Sequence, residues 1–151
     1  MEAAIPQPLP YAEGDMPHSL RVAVASNTGE ALDGHFGACT RFLIYQVSAA
    51  EARLIAVRPA GQSGAEGDRT DERADLIADC HVLYVVSIGG PAAAKVVRRG
   101  VHPLKTPLGG YAPELLDALR HVLAGTPPPW LAKVLGQTPA PRGWSDDEDA
   151  A

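Results

Sequence analysis

Cysteine is nearly absent: Cys39 and Cys80 are the two thiols in 151 residues. A pair of thiols makes no disulfide framework, supplies too few thiolates for an ordinary protein-held iron–sulfur cluster, and cannot build a zinc knuckle. Long apolar runs are missing too. None reaches the ~18 residues that a membrane span requires, and the N-terminus has neither the basic start nor the apolar stretch of a secretory signal. The chain therefore reads as soluble and cytoplasmic, with reduced thiols. Positive charge is also short: at a sequence pI of about 5.4 and with no basic stripe, nucleic acid is not an expected partner. Acids are missing from one informative place. The first strand, Arg21 to Ala25, carries none, whereas a two-metal nuclease needs several carboxylates converging on its ions. No Gly-Lys-Ser/Thr follows Gly89-Gly90-Pro91, so that turn is not a P-loop. Ser87 has no paired base in the sequence and is not expected to be a nucleophile. The expectation is a protein that is not an enzyme.

What is present is one domain's worth of core, with 46% hydrophobic residues. The net charge of −5 lies in the tails: residues 20–141 carry 12 Lys+Arg against 11 Asp+Glu. Residues 1–19, with Pro6, Pro8, Pro10 and Pro17, are expected to be a disordered arm. Residues 20–136 form the folded domain, and 137–151 a flexible acidic tail. Within the domain, 20–25, 41–47 and 52–58 read as three strands, and the short link 48–51 makes them an antiparallel meander. A flexible loop is expected over 59–68. A helix follows from a cap at Thr70 or Asp71 to Asp79, with Ala74, Ile77 and Ala78 inward. The continuous apolar run Val82-Leu83-Tyr84-Val85-Val86 reads as a strand buried on both faces. Gly90 is the expected cap of a helix that starts at Pro91 and is stopped by Gly100. His102 to Thr106, with Pro103, suits an edge strand. A helix over about 113–124 and a short one through Leu135 complete the chain, separated by a packing turn at Pro127–Trp130. No internal repeat is seen.

The meander followed by right-handed crossovers predicts a mixed α/β sheet of five strands, order 3-2-1-4-5, with helices on both faces. Strands 1 and 4 are then parallel neighbours, and the loops at their carboxyl ends lie where open α/β sheets bind ligands. The loop after strand 1 is Asp33-Gly34-His35-Phe36-Gly37-Ala38-Cys39. It offers an imidazole and a thiol four residues apart, with Gly34 and Gly37 expected to take left-handed angles. The loop after strand 4 carries Gly89-Gly90-Pro91 and opens a helix whose N–H groups suit an anion. An imidazole and a thiol beside an anion cradle suit an anionic, metal-containing ligand. Cys80, His81 and His102 fall at the opposite end of the sheet and read as packing residues, His18 and His121 as tail and helix surface.

The Asp-x-His-Phe-Gly loop after Val-Ala-Val-Ala, the Ile-Gly-Gly-Pro-Ala-Ala-Ala turn, the Gly-Val-His-Pro-Leu-Lys strand and the Gly-Thr-Pro-Pro-Pro-Trp-Leu ending resemble the dinitrogenase iron–molybdenum cofactor biosynthesis family. They are most similar to its NifX branch. The resemblance covers about residues 20–135. It implies a ribonuclease-H-like three-layer fold and transient binding of iron–sulfur precursors of the iron–molybdenum cofactor. The precursors would pass between the cluster-making enzyme, the scaffold complex and apo-dinitrogenase. His35 falls on the family's histidine and is the expected cluster ligand, with Cys39 either a second ligand or a small buried residue at the start of strand 2. The alternative is a regulatory or scaffold module that binds only protein.

Overall fold

The computed structural model describes residues 5–61 and 66–135. In chain order it contains β1 (Leu20–Ser26), β2 (Ala31–Leu32), β3 (Arg41–Val47), β4 (Ala52–Pro59), α1 (Glu66–Leu76) and β5 (Val82–Val85). There follow α2 (Gly90–Arg98), β6 (His102–Lys105), β7 (Gly110–Tyr111), α3 (Ala112–Ala124) and α4 (Pro129–Leu135). Five strands make one mixed sheet in the order β4-β3-β1-β5-β6, and β2 and β7 form a separate two-stranded pair.

β1 is central because it is apolar almost throughout: six of its seven residues are buried. It pairs antiparallel with β3 and parallel with β5. The β3–β4 link is a tight turn in which Ser48 Oγ accepts the N–H groups of Ala50 and Glu51. Side chains alternate across the sheet. Tyr45 and Leu54 share a pocket with Pro113 and Asp117 of α3, while Arg53 and Arg21 lie on the other face, Arg21 paired with Asp79 beyond α1. Helices thus cover both sides, α1 packing with α2 on one and α3 on the other. Phe42, Leu43, Ile44, Val22 and Val24 are fully buried between them, each such side chain contributing roughly 1.5–3 kcal/mol.

Several boundaries differ from expectation. α1 begins at Glu66, inside the stretch read as a loop, and ends at Leu76. Thr70 and Asp71 therefore lie within the helix and do not cap it. The end is set from outside the helix: Arg58 of β4 donates to Leu76 O at 2.7 Å and grips the Asp79 carboxylate at 2.7 and 3.0 Å. Residues 77–80 then tighten into i→i−3 turns. The inward face carries Arg73, Ala74 and Ile77, while Ala78 is exposed. The cap of α2 is Gly89, one residue earlier than expected, with Pro91 in the first turn. Gly100, at φ +86°, ends it. Pro129 and Trp130, expected in a packing turn, instead open α4, and the Trp130 ring stacks on His102 at 3.8 Å.

Residues 5–19, the described part of the segment expected as a disordered arm, lie against the sheet. Met16 is 7% exposed, and Leu9 N–H donates to Leu54 O. Charged and aromatic contacts hold this segment where hydrophobic content alone could not: Arg21 pairs with Glu13, Arg53 with Asp15, and Tyr11 lies beside both arginines. The acidic tail lies outside the described residues.

Candidate functional site

The loop between β1 and β3 is fixed at its base by hydrogen bonds of Asn27. Asn27 N–H donates to Asp33 Oδ1 at 2.7 Å, and Asn27 Oδ1 accepts from Thr40 N–H at 3.1 Å. The chain then returns to the sheet. Gly34 N–H donates to Ala25 O, Val86 N–H to Gly34 O, and Phe36 N–H to Ser87 O. His35 thereby pairs with Ser87 in a parallel bridge just beyond β5. Gly34 is required for closeness and not for left-handed angles, which neither it nor Gly37 adopts. A Cβ on Gly34 would stand 2.6 Å from Cys39 Cβ and 3.0 Å from Ala25 C. Gly37 has open space around it.

From Phe36 to Cys39 the loop makes one turn, with Ala38 and Cys39 N–H donating to His35 O. Phe36 is buried against Phe42. Beneath the turn lies Arg73 of α1, with 0% exposure. Its Nη1 donates to Cys39 O at 2.8 Å and Phe36 O at 3.2 Å, and its Nη2 to Gly61 O at 3.0 Å. A buried guanidinium normally needs a carboxylate; this one is spent on loop carbonyls.

His35 is left exposed above that anchored turn. Its Nδ1 lies 2.6 Å from Ser87 Oγ. With one ring nitrogen held, Nε2 is the atom free to meet a ligand. Two residues after Ser87, Gly89 caps α2 without any side-chain hydrogen bond, and a Cβ on Gly89 or Gly90 would meet nothing within 4 Å. The start of α2 thus has open space beside both glycines, with no packing need for them.

The structure brings His35 together with Ser87, two residues before the Gly89 cap of α2. It does not bring Cys39 to the same surface. That thiol is 0% exposed, 3.4 Å from Arg73 Nη1, and burial pushes its pKa up against the pull of Arg73. Ser87 and Arg73 have no place in the site as read from sequence, yet both hold the loop. Ser87 could have been noticed as the first polar residue beyond a buried strand at the binding end of the sheet; Arg73 left no signal beyond a charge on an otherwise inward helix face.

Cys80, His81 and His102 are at the other end of the sheet. Cys80 is buried, its thiol pushed up to about 12 by burial and Asp79. His81 Nδ1 accepts Arg21 N–H at 2.9 Å. A cleft of about 290 Å³ lies there, lined by Tyr11, Glu13, Ser19, Arg21, Asp79 and His81. Among the described residues no three His, Cys, Asp or Glu side chains are grouped to hold a metal ion, and no helix is long and apolar enough to cross a membrane.

Comparison with known proteins bears on this site. The family model described as dinitrogenase iron-molybdenum cofactor matches residues 18–122. The chain is 52% identical over 141 residues to protein NifY of Azotobacter vinelandii, covering 93% of this chain and 58% of that protein. It is 35% identical over 150 residues to protein NifX of Rhodobacter capsulatus, covering 95% and 93% respectively. The FeMo cofactor biosynthesis protein NifB of Bradyrhizobium diazoefficiens matches at 27% over 129 residues, 26% of its length. The crystal structure of PH0822 superposes with a TM-score of 0.56 at 16% identity, over 67% of this chain and 88% of that one. That likeness concerns the mixed α/β fold alone.

Proposed function

The chain belongs to the dinitrogenase iron-molybdenum cofactor family, and from that premise we propose that it binds iron–sulfur precursors of the nitrogenase cofactor at His35 and carries them between biosynthetic proteins. A role in iron–molybdenum cofactor biosynthesis follows from the NifX and NifY relatives. The carrier role, the ribonuclease-H-like label for the fold and a cytoplasmic location are our reading. So are the partners: the cluster-making enzyme, the scaffold complex and apo-dinitrogenase. So too is the absence of catalysis.

The observation that supports the reading is the exposed His35 imidazole with Nδ1 on Ser87 Oγ at 2.6 Å, beside the open start of α2. A preassembled cluster brings its own sulfides, so a single imidazole is enough to hold it. An anionic cluster also gains from the oriented N–H groups of a helix start. Few protein bonds mean easy release, which a carrier needs. Nothing in the arrangement calls for the Cys39 thiol, and we leave it out of the ligand set.

The test is the affinity of an isolated precursor, measured anaerobically, for wild type and His35→Ala. The variant is expected to bind weakly, and equal affinities would remove His35 from the site.

A further inference from the structure

The segment before β1 takes no part in the proposed site, yet its contacts are specific. Leu9 N–H donates to Leu54 O at 2.8 Å, and β4 is the outermost strand on that side of the sheet. Arg21 of β1, Gln46 of β3 and Arg53 of β4 stand in one cross-strand row. The segment is pinned on that row. The Tyr11 ring centre lies 5.6 Å from the Arg21 guanidinium carbon and 6.0 Å from that of Arg53. Arg53 Nη1 also donates to Pro10 O at 3.0 Å and pairs with Asp15 at 3.5 Å.

An outermost strand offers its unpaired N–H and C=O groups to any other chain. Residues 6–10 read Pro-Gln-Pro-Leu-Pro. Pro6, Pro8 and Pro10 have no N–H, and Leu9 N–H is spent on β4. The segment therefore keeps a donor toward the sheet, and of its five residues Gln7 alone has another backbone N–H to offer an approaching strand.

We propose that residues 6–10 close the β4 edge against strand addition by a second copy of this chain, the alternate prolines being the blocking element and Tyr11 the clamp that holds them. A second copy is the partner the bared edge fits, because two identical antiparallel edges pair about a two-fold axis with the same residues on both sides.

The test uses the full chain and sedimentation velocity across a concentration series, with far-UV circular dichroism to show that each variant is folded. Pro6→Ala/Pro8→Ala/Pro10→Ala restores three backbone donors and leaves the clamp in place. Leu9→Pro/Tyr11→Ala releases the segment from β4. Wild type is expected to keep one mass throughout. Both variants are expected to double in mass as concentration rises, and adding Ile55→Lys to the released variant should return it to the wild-type mass. Two variants that stay at the wild-type mass overturn the proposal. So does a released variant that doubles while the alanine variant does not, since the prolines would then block nothing. A wild type that doubles through β4 with its segment in place overturns it equally.

Discussion

His35 and Ser87 are separated by 52 positions in sequence and by 2.6 Å in space. A hydroxyl can donate or accept, so Ser87 would serve a free and a ligated imidazole alike. With Nε2 on the metal of the proposed precursor, Nδ1 would carry the proton and Ser87 Oγ would accept it. Outer partners of this kind orient a ligating histidine and raise its basicity. Ser87→Ala is expected to weaken precursor binding by about tenfold. Ser87→Asp, a stronger acceptor, should recover at least the wild-type affinity. An alanine variant that binds as wild type does would show that Ser87 is only a neighbour. The histidine itself was legible, because a glycine-rich loop after an apolar strand announces an exposed polar residue. Cys39, four residues on, reads either as a second ligand or as a small buried residue, and it is the latter. A loop sequence does not reveal which of its side chains turn inward, and here Arg73, from a helix 34 positions away, draws that turn onto the core.

At the scale of elements, the strands announced themselves and their fastenings did not. β1 and β5 are apolar runs, and the four-residue link 48–51 leaves β3 and β4 no choice but an antiparallel turn. The end of α1 was unreadable because its cap, Arg58, comes from another strand. The β2–β7 pair was unreadable because each strand is two residues long. That pair nevertheless ties the His35 loop to the start of α3, with Ala112 N–H donating to Glu30 O at 2.8 Å. Gly109 makes the approach possible. Its φ is +66°, and a Cβ there would come within 2.3 Å of Leu32 O. Gly109→Ala is therefore expected to cost on the order of 1–3 kcal/mol. In hydrogen exchange it should speed the amides of residues 30–32 and 110–112 while those of β1 and β3 keep their order of protection. Uniform slowing or speeding across the sheet would mean that the pair is not a separate fastening.

Taken whole, the molecule has two unlike ends. The carboxyl end of the parallel strands carries the open His35 surface; the amino end carries His81, His102 and Asp79, whose pKa values are lowered in the fold. Burial first, then the positive charge of Arg21, lowers the His81 pKa, with Asp79 opposing. Its Nδ1 is also the acceptor of Arg21 N–H, a bond that protonation breaks. As pH falls through the ordinary histidine range, the unfolded chain binds a proton that folded His81 refuses, so stability declines there and levels off below the folded pKa. His102, lowered by burial, acts in the same direction. Asp79 is held at about 2, chiefly by the Arg58 hydrogen bonds. Its contribution is present above the ordinary carboxylate pKa and is lost as pH falls from about 4 toward about 2. Urea unfolding across pH should therefore show two declining stretches. His81→Asn keeps an acceptor for Arg21 N–H and removes the titration, so it should flatten the stretch from about pH 7 to about pH 5. Asp79→Asn should lower stability at neutral pH, where it frees Arg58 and Arg21, and flatten the stretch below about pH 4. A His81→Asn profile that runs parallel to wild type down to pH 5 would place the first decline on another group, with His102 the next to replace.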